Sequence, residues 1–268
     1  MSPTAIPGNL LLKNGMVITG EQKNNWTPAA ITTALWLDAA DASTITESGG
    51  AVSQWDDKSG NSRSLTQATP ANQPSYSLGG LNGLNALSFD GAASFIDNAA
   101  IGLPIGGSAR SMFVVYKPLR TTSTNTLAGQ GPVSLLVAAW FALQFRSPLG
   151  DPYFAGFSAD IGGGPSTITT TPKIAEIVYN GTTGTLFGTG NQYNTETRAL
   201  NTLGNSFVVG RNSSGTEYGN ALIGEIVFLS FAATTDVRQK LEGYLAHKWG
   251  LTANLPADHP YKTAIPVP

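Results

Sequence analysis

The stretch "IGEIVFLSFAATTDVRQKLEGYLAHKWG" (residues 223–250) sets a strand directly before a helix, and its reading decides the fold. "IVFLSF" is apolar without alternation, which predicts a strand covered on both faces. A cover for the second face follows at once. Thr234 or Thr235 suits a helix N-cap, Asp236 suits the first turn, and Gly250 stops the helix. Val237, Leu241, Tyr244 and Leu245 recur at i, i+4, i+7 and i+8 and make one apolar stripe. Gly243 beside that stripe predicts close approach to the sheet. His247 projects elsewhere, toward the tail "LPADHPYK" (255–262), so the segment reads as a clasp rather than a catalytic corner.

Upstream, from Leu35 to Phe231, short β-rich runs succeed one another: "ALWLDA" (34–39), "AVSQW" (51–55), "ALSFDG" (86–91), "SMFVVYKP" (111–118), "FALQFR" (141–146), "KIAEIVYNG" (173–181) and "SFVVGR" (206–211). Each ends near Gly, Pro, Asn or Asp. Many short strands with turn signals predict an all-β, two-sheet antiparallel sandwich or jelly roll, closed by one C-terminal helix. Residues 1–30 differ. Leu10, Leu11 and Leu12 face Met16, Val17 and Ile18 across Asn14-Gly15, a strong tight-turn signal. An isolated hairpin is marginal in water, so these apolar side chains must dock. The chain divides into an N-terminal docking arm, 1–30, and a jelly-roll domain, 31–268. The arm docks either on its own domain or on a neighbouring subunit.

Composition narrows the function. Of 268 residues, 12% are charged and 41% are hydrophobic, against about 25% charged in an ordinary soluble domain. A net charge of −2 leaves no basic footprint for nucleic acid or anionic lipid. There is no cysteine, hence no disulfide frame and no thiolate nucleophile. The longest apolar run, "VSLLVAAWFALQF" (133–145), falls short of the roughly 20 residues of a membrane helix, so no membrane insertion is expected. A surface-type composition without an N-terminal signal core suggests a virion component, exposed after lysis; a cytosolic protein, or a chain trimmed of its leader, is the alternative.

Candidate sites are sparse. Glu176 and Glu225 are single acids on apolar strands, and Asp56 and Asp57 are adjacent and point apart on a strand, so neither set forms the carboxylate pair of a glycosidase. His247 and His259 are the only imidazoles, and both read as structural. Asp56, Asp57 and Asn61 in "DDKSGN", with Asp90 in "FDG", offer oxygen ligands to calcium; bracing a tight turn is their other role, and no cofactor is otherwise expected. For sugar binding, Tyr153, Phe154, Tyr193 and Tyr218 stand on loops, with Asn191, Asn194 and Asn220 beside the last two; Tyr193 and Tyr218 are preferred. Trp36, Trp55, Trp140 and Trp249 read as core.

Taken together, "ALWLDAADASTIT" (34–46), "QWDDKSGNSRSLTQ" (54–67), "GLNGLNALSFDG" (80–91), "IGEIVFLSF" and "LEGYLAHKWGLTANLPADHPYK" (241–262) resemble the laminin-G-like, concanavalin A-like lectin/glucanase superfamily. The likeness is to its branch in phage and bacterial surface proteins that close with an "EGYLAHKWG" helix. The family's turn often reads Ser-Gly-Asn-Gly, whereas Ser62 follows Asn61 here. Glucanases of the superfamily carry Glu-x-Asp-x-x-Glu on one strand, a string this chain lacks. The resemblance implies a concanavalin A-like jelly roll that is not an enzyme. It also implies a virion surface or structural protein (decoration, fibre or tail-associated), whose partners are other virion proteins, copies of itself, or cell-surface glycans. A bacterial carbohydrate-binding or adhesion module at the cell surface is the alternative, and a degenerate glycoside hydrolase the second.

Overall fold

A computed structural model describes residues 9–11, 17–19, 25–132, 136–204 and 206–268. Among them the chain forms strands β1 (Asn9–Leu11), β2 (Val17–Thr19), β3 (Leu35–Asp38), β4 (Ile45–Ser48), β5 (Ala51–Trp55) and β6 (Leu65–Thr66). Then come β7 (Ser75–Leu81), β8 (Leu84–Asp90), β9 (Ile96–Asn98), β10 (Arg110–Pro118), β11 (Thr124–Gln130) and β12 (Phe141–Arg146). Next are β13 (Gly150–Ala155), β14 (Lys173–Tyr179), β15 (Thr183–Gly188), β16 (Asn191–Thr197), β17 (Phe207–Val209), β18 (Asn220–Leu229) and helix α1 (Thr235–Lys248).

The main strands pair antiparallel along one path, β13-β12-β11-β17-β9-β6-β5-β7-β8-β18-β10-β14-β15-β16. The path doubles back so that its two halves face each other. Phe141 of β12 and Phe207 of β17 meet Phe228 of β18 edge-on, at 5.9 and 6.1 Å, and Tyr116 of β10 stacks on Phe145 of β12 at 6.0 Å. The result is the expected antiparallel sandwich with one C-terminal helix. Its inner core also takes Leu127, Leu143, Ile177 and Val209.

Strand β18 explains its own uniform apolarity. Ile226 and Phe228 point into the inter-sheet core. Val227 and Leu229 point outward, into a second core with Leu241, Leu245 and Trp249 of the helix end. Thr234 caps α1 by accepting the Val237 N–H at 3.3 Å, and Gly250, at φ +67°, ends it. Gly224 makes room for the clasp: a Cβ there would lie 2.5 Å from the Trp249 ring. Gly243 is a correction. Its close neighbour is the tail, where an added Cβ would meet Tyr261 Cβ at 2.4 Å and Pro266, not the sheet.

The polar centre of the clasp is Glu225, 0% exposed on β18. Its Oε1 accepts from Trp36 Nε1 at 2.7 Å and the Tyr244 hydroxyl at 3.0 Å, and its Oε2 from Lys248 Nζ and Trp249 Nε1, each at 2.7 Å. Lys248 also pairs with Asp38 at 2.6 Å. Burial pushes the Glu225 carboxyl above its ordinary range against the opposing pull of Lys248. A buried carboxylate is tolerable when donors saturate it, as here. His247 Nε2 donates to the Tyr261 carbonyl at 2.9 Å. The Tyr261 N–H donates to His259 Nδ1, so the protonated Nε2 of His259 donates to Glu242 at 2.8 Å. Both imidazoles tie the tail to the helix.

In the N-terminal segment, β1 and β2 pair antiparallel with Leu10 opposite Ile18 and Leu11 opposite Val17. Where the side chains of Leu10, Leu11, Leu12, Met16, Val17 and Ile18 dock lies outside the described residues. Residues 26–30, grouped with the arm on sequence grounds, pack on the domain. Trp26 is buried, meets Tyr244 edge-on at 6.4 Å, and donates its N–H to the Pro266 carbonyl at 2.9 Å.

Candidate functional site

The helix covers the outer face of one sheet, and the outer face of the other carries a cavity. Strand β12 shows how the sequence builds it. In "FALQFR" Phe141, Leu143 and Phe145 alternate into the core, which turns Ala142, Gln144 and Arg146 outward. Gln144 and Arg146 line a cavity of about 320 Å³ together with Trp140, Phe157, Asp160 and Glu217. The indole of Trp140 and the ring of Phe157 stand 5.7 Å apart, inclined at 44°. Phe157 and Ser158 hold left-handed backbone conformations, at φ +53° and +62°, and Ala138, whose N–H donates to the Phe157 carbonyl at 2.8 Å, lies at φ +57°. Such conformations cost non-glycine residues free energy and persist where surrounding contacts enforce them, often at binding sites.

Two of the three charges in the wall, Arg146 and Asp160, face each other. Asp160 accepts from the Tyr153 hydroxyl at 3.0 Å and the Gly156 N–H at 2.9 Å, with Arg146 Nη1 at 3.7 Å. Burial, and then the Asp160 carboxylate, push the Tyr153 hydroxyl up to about 12. Gln144 Nε2 donates to Glu217 and to the Thr126 hydroxyl, each at 2.9 Å, which fixes the orientation of its amide. Among the described residues, Gln144 Oε1 and Trp140 Nε1 are left buried without a protein partner. Their residues are 1% and 5% exposed. Buried polar atoms are otherwise almost always paired, so an unpartnered acceptor and donor lining one cavity point to a ligand that supplies both.

Of the residues singled out in the sequence, Tyr153 adjoins this cavity through Asp160 and Phe154 lies in the inter-sheet core; the others lie elsewhere. Asn191 and Tyr193 line a separate cavity of about 280 Å³ with Asp151 and Lys173. Asn194 is turned away, donating to the Gly162 carbonyl and to Glu196 at 2.8 Å each. Tyr218 is half-buried in a bridge to Arg211. Asn220 ties β18 to β8 by donating to the Asp90 carbonyl at 2.9 Å. Asp57 uses both oxygens on the Trp36, Ser59 and Arg63 N–H groups and the Ser59 hydroxyl, and Asn61 donates to the Thr33 carbonyl. Asp56 accepts from Gln54 and Ser64. Ser62, where the resembled family has glycine, sits at φ +58°. Burial opposes ionisation of Asp90, but the N–H groups of Ala92, Ala93 and Ser94 outweigh it and bring the carboxyl down to about 2. Among the described residues no three His, Asp or Glu side chains cluster to hold a metal ion. Glu176 and Glu225 are both fully buried, Glu225 beneath the helix and Glu176 beside Glu242 of that helix.

Trp140, Gln144, Arg146, Phe157, Asp160 and Glu217 were not anticipated as a site. The polar alternation of "FALQFR" was the available signal, while Trp140 read as core.

No protein-family model matches the sequence, and no curated protein matches it. Solved structures do. An arabinofuranosidase complexed with arabinofuranosyl-α-1,2-xylobiose aligns over 81% of this chain and 60% of its own, at TM-score 0.61 and 15% identity. Domain 4 of AbnA, an extracellular arabinanase from Geobacillus stearothermophilus complexed with arabinotriose, aligns over 79% and 98%, at TM-score 0.58 and 17% identity. Trypanosoma rangeli sialidase aligns over 82% and 36%, at TM-score 0.56 and 12% identity. The chain thus spans about 60% of the arabinofuranosidase. At these identities the likeness is one of fold, a β-sandwich found in carbohydrate-active proteins. It corrects the expectation that the chain is not an enzyme: that expectation rested on a lectin-like reading of the fold and on the missing carboxylate string, and solved structures with this fold include glycosidases and parts of them.

Proposed function

We propose that this chain is a glycan-recognising β-sandwich domain whose binding site is the cavity around Trp140 and Gln144. The observation that carries the reading is the pair of buried, unpartnered groups, Gln144 Oε1 and Trp140 Nε1, in the wall of a cavity with two aromatic rings. A sugar hydroxyl both donates and accepts, so sugars complement such a wall, and their C–H faces suit the rings. A cavity of about 320 Å³ is at the small end of ligand sites and fits one or two sugar rings. Neighbours in fold space solved with arabinotriose and with arabinofuranosyl-α-1,2-xylobiose lend support. The resemblance of the closing helix to the laminin-G-like branch in phage and bacterial surface proteins favours display on a virion or cell surface, with β1 and β2 as the attachment hairpin.

The test is an oligosaccharide array followed by titration, with sugar release measured in parallel. Binding abolished by Trp140→Ala and by Gln144→Ala, in variants that melt like the parent, supports the site. A blank array, or binding indifferent to both substitutions, refutes it. Release of reducing sugar that depends on Asp160 or Glu217 would extend recognition to cleavage.

A further inference from the structure

A second, much smaller cavity of about 10 Å³ abuts the first, and Trp140 and Asn212 line both. Its wall includes Gln130 and Arg211. Gln130, on β11, is 1% exposed, and among the described residues its Oε1 has no partner; Arg211 Nε is likewise buried and unpartnered among them. The residues of this wall therefore bring one unpartnered acceptor, Gln130 Oε1, and one unpartnered donor, Arg211 Nε. A single hydroxyl, which both donates and accepts, is their complement. A volume of about 10 Å³ takes one oxygen atom and no more.

We infer that this cavity is a hydroxyl-sized subsite, which receives the exocyclic hydroxymethyl group of a neutral sugar lying in the larger cavity. The inference rests on the glycan reading of that larger site. The ring hydroxyls of a sugar are fixed to the ring, whereas a hydroxymethyl extends on a rotatable stem and reaches past the indole. The wall disfavours acidic sugars: Arg146 faces Asp160, while Glu217 is held only by the neutral Gln144 amide and keeps its negative charge. The site then selects furanoses and pyranoses bearing a hydroxymethyl, and rejects xylopyranose, which has none.

The experiment titrates the full chain with the methyl glycosides of arabinofuranose and glucopyranose and with their 5-deoxy and 6-deoxy counterparts. At least one parent sugar is expected to bind about tenfold or more tighter than its deoxy form, because the deoxy form leaves buried groups unpaired. Gln130→Leu is expected to weaken the parent sugar and leave the deoxy sugar unchanged. Parent and deoxy sugars binding within about twofold of each other would overturn the subsite while leaving the glycan site intact. Binding of neither would overturn both.

Discussion

Replacing Glu225 by alanine tests the clasp at its centre. The substitution deletes the acceptor of two indole N–H groups, a phenol and an ammonium, all in a region sealed by α1. Lys248 retains Asp38 at 2.6 Å, so its charge is not stranded. Trp36, Tyr244 and Trp249 have no such second acceptor, and a buried donor without a partner costs about 1–3 kcal/mol. The three losses share one cavity and relax together, so the expected destabilisation is about 4 kcal/mol, within the range for breaking a buried polar network. With a urea slope of about 3 kcal/mol per molar, the unfolding midpoint falls by about 1.3 M. Equilibrium unfolding followed by tryptophan fluorescence reads this directly, since Trp36 and Trp249 both touch the site. Glu225→Gln keeps one oxygen and turns an N–H₂ toward two donors, and is expected to cost about half as much. A Glu225→Ala protein within about 1 kcal/mol of the parent would refute the assignment of the carboxylate as the keystone of the clasp.

Further outcomes follow from other parts of the structure. Burial, and then the neighbouring Glu242 carboxylate, raise the Glu176 carboxyl well above the ordinary range, against Arg238 on Glu242. The folded chain then holds a proton that the unfolded chain has released, so this group's contribution to stability is fullest below the ordinary glutamate range and is lost as pH rises from there through its raised folded-state value. Glu176→Gln should remove that decline, as thermal melting from pH 4 to pH 8 (roughly the span of buried glutamates) will show; an unchanged slope counts against it. At the sugar site, Trp140→Ala should abolish binding and Tyr193→Ala should leave it intact, because Tyr193 lines a different cavity; the reverse pattern in titration would relocate the site. In the "DDKSGN" turn, Asp57→Ala should cost about 2–3 kcal/mol in chemical unfolding, from the loss of three backbone N–H partners. Millimolar calcium (on the order of weak extracellular sites) should leave the melting temperature unchanged, and a clear upward shift would reinstate an ion there.

The parts of this fold legible in the sequence are those written in neighbouring residues. The cap at Thr234, the stop at Gly250 and the stripe Leu241–Leu245 are local, and the unbroken apolarity of "IVFLSF" required a cover that the next helix supplies. Glu225 resisted reading because its donors come from position 36 as well as 244–249, and nothing short-range announces a pairing 189 residues apart. Gly243 was legible as a close approach but not as to what, since its neighbour, the tail at Tyr261 and Pro266, bears no pattern of its own. The cavity was hidden for a related reason. Trp140 sits in the greasiest run of the chain, and only the pairing of β11 with β12 and the folding back of residues 212–217 show that its ring edges a polar wall. Tyr193 and Tyr218 read alike in sequence because both have polar neighbours, yet Tyr193 lines a cavity of its own whereas Tyr218 is half-buried beside Arg211, a difference set by strand pairing.

The most direct measurement is a crystal structure of the full chain soaked with whichever oligosaccharide binds best. The account predicts a sugar ring against Trp140 and Phe157, with hydroxyls on Gln144 Oε1 and Trp140 Nε1. Density for the sugar beside Asn191 and Tyr193, with only water around Trp140, would contradict it.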